Sequence, residues 1–140
     1  MNLRYYYWYY KNALPGWLCD ALVSSVLKNR EIKTGLVDPQ KGGVTDLKIR
    51  DSNICFLNDQ WLKSVLTFYM QDANQRAGWN FDIENSEDTQ FTIYNKDQYY
   101  DWHVDQDLDP YQQGVYKGLT RKISLSVSLN DESKYNTSIS

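Results

Sequence analysis

The chain is 140 residues long and carries 15 Lys and Arg against 18 Asp and Glu, a net charge of −3. That is enough for one ordinary domain and too little for two, and the basic residues form no stripe or cluster, so electrostatics give no support for nucleic acid as a partner. No run approaches the roughly 18 apolar residues of a membrane span, residues 1 to 10 lack the apolar core of a signal peptide, and Cys19 and Cys55 make no disulfide framework. A soluble protein of a reducing cytoplasm, without membrane contact, is the expectation.

Aromatic residues reach 15%, with 12 Tyr and 5 Trp, a composition suited to strands that carry large half-buried rings. Residues 5 to 10 are such a run, expected as an edge strand that ends at Lys11 and Asn12. Pro15 sits where a first helical turn accepts proline, and Leu18, Leu22 and Val26, flanked by Val23 and Leu27, repeat at helical spacing up to Lys28. Residues 31 to 37 allow a short strand, Asp38 and Pro39 with Gly42 and Gly43 form a loop, and Ile54 and Phe56 mark another strand. Asn58 or Asp59 can cap a second helix whose Trp61, Leu62, Val65, Leu66, Tyr69 and Ala73 share a face until Gly78 stops it. Trp17, Leu22, Leu62 and Leu66 are expected to dock the two helices on a sheet.

From residue 79 the period shifts from helical to two. Phe91 and Ile93 alternate with Thr92 and Tyr94, and a strand over residues 99 to 105 follows a turn at Asn95, Lys96 and Asp97. A polar loop with Asp107, Asp109, Pro110 and Gly114 leads to residues 121 to 129, where Ile123, Leu125, Val127 and Leu129 face one way and Ser124, Ser126 and Ser128 the other. Helices first and strands after them predict an α+β fold in which the helices cover one sheet of a β-sandwich or jelly roll. The apolar side of the serine strand is expected to meet the helices, and its hydroxyl side to leave room for a ligand.

His103 is the only histidine. It stands in Tyr99-Tyr100-Asp101-Trp102-His103-Val104-Asp105, and on a strand residues two apart project from one face, so imidazole and carboxylate would point together. His and Asp so placed are two thirds of the 2-His-1-carboxylate site of non-haem iron oxygenases. Taken alone, a His-x-Asp pair is more often a hydrogen-bonded surface pair than a metal site.

The surroundings sharpen that reading. Leu14-Pro15-Gly16-Trp17-Leu18-Cys19-Asp20, Arg50-Asp51-Ser52, Ala77-Gly78-Trp79-Asn80-Phe81-Asp82, and Gln90-Phe91-Thr92-Ile93-Tyr94 leading into Gln98-Tyr99-Tyr100-Asp101-Trp102-His103-Val104-Asp105 appear in that order. With Arg121-Lys122-Ile123-Ser124, then Leu129-Asn130-Asp131 and Tyr135, the chain resembles the prolyl 4-hydroxylase-like Fe(II)/2-oxoglutarate dioxygenases, the small phage and bacterial members above all. The resemblance implies a double-stranded β-helix, or jelly roll, under N-terminal helices. It also implies hydroxylation of a C–H bond in a peptide or small-molecule substrate, with Fe(II), 2-oxoglutarate as cosubstrate and ascorbate as accessory reductant. For a viral source the compartment would be the host cytoplasm.

Residue by residue, the resemblance makes His103 and Asp105 iron ligands, Tyr94 a 2-oxoglutarate contact, Ser124, Ser126 and Ser128 pocket residues, and Tyr100 a substrate-side residue. Core packing for the tyrosines and a solvated strand face for the serines are the competing readings. After Tyr135 the family continues through a Gly-Gly turn and several strands to a distal His and a basic residue that pairs with the far carboxylate of 2-oxoglutarate; Asn136-Thr137-Ser138-Ile139-Ser140 departs from that pattern. Arg121 opens the serine strand and Lys122 is assigned to the face opposite the hydroxyls, so neither is expected to replace that basic residue. The jelly roll is therefore expected to be incomplete, with Leu125 and Val127 near an unpaired edge, and the site to be catalytically weak unless another polypeptide supplies the missing strands. A peptide- or partner-binding module that performs no oxidation is the alternative.

Overall fold

A computed structural model describes residues 3–36, 45–106 and 109–130. The proposed loop at Asp38, Pro39, Gly42 and Gly43, the end of the 31–37 strand, Asp107, and everything from Asp131, Tyr135 included, lie outside the described residues.

Helix α1 spans Gly16–Asn29, and Pro15, extended at φ −60° and ψ 140°, precedes it as its N-cap. Cys19 and Val26 are buried one heptad apart, with Leu22 and Val23 packed beside them, so the stripe read from spacing docks through Leu22, Val23 and Val26, while Leu27 at its margin is 57% exposed. Trp17 is a correction: it is 70% exposed, because two positions before Cys19 it stands about 160° around the helix from it and so faces away from the docking stripe.

Strand β1 (Lys33–Thr34), β2 (Arg50–Asp51) and β3 (Asn53–Leu57) follow, and α2 then runs Gln60–Arg76. Asp59 occupies the N-cap without a side-chain cap bond; its carboxylate pairs instead with Arg30 at 2.9 Å, which ties the two helices together. On α2, Leu62 and Ala73 are buried and Leu66 packs against the core, while Trp61 is exposed. Gly78 ends the helix at φ +69°, a left-handed conformation that a Cβ would penalise. Asn74 then fixes the exit, its amide bonding both the carbonyl (2.9 Å) and the N–H (3.0 Å) of Phe81.

Strand β4 (Thr89–Ile93) pairs antiparallel with β3, from Asn53 opposite Ile93 to Leu57 opposite Thr89, and β1 lies on the other side of β3. Strand β5 (Tyr99–Tyr100) pairs with β2, Arg50 opposite Tyr100. The fold is thus mixed α+β with small antiparallel sheets, neither of them closed into a barrel among the described residues. Val26, Cys55, Leu57, Leu62 and Phe91 form one core cluster and Ala73, Ala77 and Trp79 a second. Cys19 and Cys55 are free and buried. Among the described residues no helix is long and apolar enough to cross a membrane.

Three expected strands differ. Residues 5 to 10 form no strand; Trp8 packs on the second cluster, the Trp79 indole N–H donates to the Tyr5 carbonyl at 2.6 Å, and Tyr6, Tyr7 and Tyr9 remain exposed. Side-chain anchoring replaces ladder pairing there. The strand expected over 99 to 105 stops at Tyr100, and residues 121 to 129 run without a ladder. Ile123 reaches the second cluster and Leu129 the first, but Leu125 and Val127 between them are each 40% exposed, so the apolar side meets the core only at its two ends.

Candidate functional site

After Tyr100 the chain keeps one more sheet bond, from the Asp101 N–H to the Ile49 carbonyl at 2.9 Å, and then turns. The cause is local: the Asp101 carboxylate accepts the next N–H, that of Trp102, at 2.7 Å, an arrangement by which short acidic side chains compete with a ladder. His103 and Asp105 therefore sit in a bend, not on a strand. They meet all the same, His103 Nε2 lying 3.1 Å from Asp105 Oδ1.

The other ring nitrogen, Nδ1, lies 2.8 Å from the Asp101 carbonyl oxygen. A carbonyl only accepts, so Nδ1 carries the proton and donates it. In that tautomer Nε2 is an acceptor, as are the oxygens of an ionised Asp105, so a cation would be favourably placed between the two atoms. A metal-bound His commonly donates its remote N–H to a backbone carbonyl in this way. Donors on adjacent corners of an octahedral ion, each about 2.1 Å from it, stand roughly 3.0 Å apart, which the observed 3.1 Å matches. The donor types and spacing suit a divalent ion such as Fe(II), but only as two of its ligands: among the described residues no group of three or more His, Cys, Asp and Glu side chains gathers to hold a metal.

The ring of His103 is held from one side. Tyr100 stacks on it with centroids 3.8 Å apart and planes 16° apart, and the Arg50 guanidinium lies 4.5 Å from the Tyr100 centroid. Arg50 is 4% exposed; its Nε donates to Ser52 Oγ at 2.8 Å and its Nη1 to the Leu36 carbonyl at 3.2 Å, while Nη2 has no hydrogen-bond partner among the described residues. Gly35 makes room for this cation, since a Cβ there would fall 2.5 Å from Arg50 Nε. Tyr94 stands close enough to feel Arg50: burial pushes its phenol above the ordinary value, and the guanidinium works against that shift.

His103 and Asp105 line an open cavity of about 690 Å³ together with Tyr100, Lys122, Ser124 and Ser126. Of the seven site residues expected from sequence, five thus share one cavity. Tyr94 and Ser128 do not line it; Ser128 donates to the Asn130 carbonyl at 3.2 Å. The assignment of Lys122 to the far face is corrected: alternation gives positions 122, 124 and 126 one side, and all three line the cavity.

Four residues of the arrangement, Arg50, Glu87, Tyr111 and Arg121, were not read from the sequence as parts of the site. Arg121 forks onto Glu87, Nε to Oε1 at 2.9 Å and Nη2 to Oε2 at 2.5 Å, and the Tyr111 hydroxyl adds a bond to Oε1 at 2.6 Å. Partial burial works to raise the Glu87 pKa, but the bonds from Arg121 and Tyr111 outweigh it and hold the carboxyl below its ordinary value. Arg121 is raised in turn, chiefly by its bond to Glu87. Glu87 lies 34 positions from Arg121 in a stretch without periodicity, so only its opposite charge hinted at the pairing. No family model, no curated protein and no solved structure matches this chain.

Proposed function

We propose that this chain carries the His-x-Asp half of an Fe(II)/2-oxoglutarate dioxygenase site of the prolyl 4-hydroxylase-like type, on an incomplete double-stranded β-helix. The observation that carries the reading is the 3.1 Å spacing of His103 Nε2 and Asp105 Oδ1, with Nδ1 bonded to a carbonyl, beside a cavity that two cations, Arg121 and Lys122, and two serine hydroxyls also line. His103 and Asp105 would hold the metal. Fe(II) bound there would let O2 act as the oxidant, one oxygen atom hydroxylating a C–H bond of a peptide or small-molecule substrate and the other entering succinate as 2-oxoglutarate loses CO2.

The chain's own residues have separate tasks. Tyr100 keeps the imidazole plane fixed, Ser124 and Ser126 offer hydroxyls to a carboxylate, and Lys122, which makes no ion pair among the described residues, supplies a positive charge on the same wall. Tyr94 is the further cosubstrate contact that the resemblance assigns. His103 is the only imidazole in the sequence, so water, or a group supplied from elsewhere such as a complementing polypeptide, would take the place of the second imidazole. Ascorbate would serve only to restore oxidised iron.

Binding of 2-oxoglutarate under anaerobic conditions, measured by calorimetry with Co(II) as an oxygen-stable substitute, tests the reading. The expected result is affinity that requires the metal, disappears in His103→Ala and falls at least about tenfold in Lys122→Ala, the loss expected for one charge-assisted bond. Binding indifferent to both metal and His103 would overturn it. A peptide-binding module without oxidation is the second reading, favoured by the full exposure of Trp102 and the exposure of Val104 on the cavity wall; peptide binding without metal would select it.

A further inference from the structure

Past Asp101 the backbone of the site runs without sheet pairing, yet metal binding needs Asp105 held to a few tenths of an ångström. Among the described residues, the bond that fixes the Asp105 backbone is donated by Arg121, Nη1 to the Asp105 carbonyl at 2.8 Å. The same guanidinium is immobilised on its other edge. Glu87 takes Nε and Nη2 in a fork, and Nη2 also lies 3.2 Å from the Tyr111 hydroxyl, which itself bonds Glu87.

We infer that Arg121 is the positioning residue of the site: clamped by Glu87 and Tyr111, it sets the place of Asp105 relative to His103 and thereby the bite of the two-donor pair. This rests on the reading of His103 and Asp105 as metal ligands. The guanidinium suits the task because it is planar and presents its donors in a rigid fork, two for the carboxylate and one for the carbonyl. A lysine ammonium keeps the charge but is a point donor on a flexible stem and cannot hold both partners in one plane. Tyr111 connects the clamp to the loop that follows, where the N–H of Tyr111 donates to the Leu119 carbonyl at 2.9 Å and the N–H of Gly118 to the Tyr111 carbonyl at 2.8 Å. The clamp therefore draws three stretches together, residues near 87, the bend at 105 and the turn over 111–119.

Two measurements on the 140-residue chain test this: Co(II) affinity by titration, and amide hydrogen exchange of residues 104 to 106 without metal. Arg121→Lys is expected to weaken His103-dependent Co(II) binding by about 10–100-fold, the usual loss when an orienting partner of a ligand is removed. Glu87→Gln, which leaves the guanidinium in place but loosens its fork, should weaken binding in the same direction, and the double variant should lose little more than Arg121→Lys alone because both act through one clamp. Exchange at 104 to 106 should speed up in each variant while amides of α2 keep their protection. Co(II) affinity within twofold of the parent together with unchanged exchange would overturn the inference and leave the metal site standing. Absence of His103-dependent Co(II) binding in the parent chain would sink the metal reading instead, and the clamp is then decided by exchange alone: faster exchange sustains it, unchanged exchange removes it.

Discussion

The two halves of this molecule are held by different means. From α1 through β4, apolar side chains meet in a core and the backbone is paired in helices and in the β1–β3–β4 sheet. From β5 to residue 130 regular structure nearly vanishes, and side chains bonded to backbone and to one another fix the chain: Asp101 on Trp102, His103 on Asp101, Arg121 on Asp105 and Glu87. The first half is stiff because many weak contacts share the load; the second depends on single bonds, each of which can be deleted. It is in the second that the candidate site lies.

That difference breaks or holds on two substitutions of the same kind. Leu62 is 3% exposed between the helices and β3, so Leu62→Ala should cost about 2–5 kcal/mol through lost transfer energy and a cavity. Leu125, 40% exposed in the unpaired segment, should cost under about 1 kcal/mol on the same change. Denaturant midpoints decide it, and equal losses at the two sites would show that the second half is packed like the first.

The sequence was legible where burial does the work. Helical spacing located α1 and α2, Gly78 ended the second helix, and the alternation of Phe91 and Ile93 placed β4, because the centres of the apolar faces those patterns describe are buried here, with Leu27 and Trp61 left exposed at their margins. It failed where one polar side chain decides the path. Residues 99 to 105 alternate acceptably for a strand, yet Asp101 takes the Trp102 N–H and bends the chain; nothing in the alternation distinguishes a ladder from that local bond. His103 and Asp105 were brought together as expected, but by a bend and a carbonyl anchor rather than by strand geometry. Tyr6, Tyr7 and Tyr9 carry strand propensity with no neighbouring strand to satisfy it.

A smaller effect sharpens the contrast through pH. The Glu87 carboxyl is held below its ordinary value by Arg121 and Tyr111, against the effect of partial burial. A depressed folded value means that its contribution is fully present above the ordinary glutamate pKa of about 4.3 and is lost as pH falls through the lower folded value. At neutral pH Glu87→Gln should therefore cost at most about 1 kcal/mol, as suits a part-exposed pair, and the gap between the variant and the parent should close in acid. Thermal midpoints measured from pH 7 down to pH 3 report it. A gap that stays constant across that range would mean that the pair adds nothing to the folded state.

The central claim, that His103 binds a divalent ion through Nε2 while Nδ1–H stays on the Asp101 carbonyl, is open to one direct measurement. Because the chain has a single histidine, the proton NMR spectrum of the Co(II)-loaded protein reports one imidazole without assignment. A single solvent-exchangeable, strongly paramagnetically shifted N–H resonance is expected, protected by its bond to the Asp101 carbonyl and absent in His103→Ala. A spectrum with no such resonance at saturating Co(II), with the His103 ring signals where they stand in the metal-free chain, would contradict it.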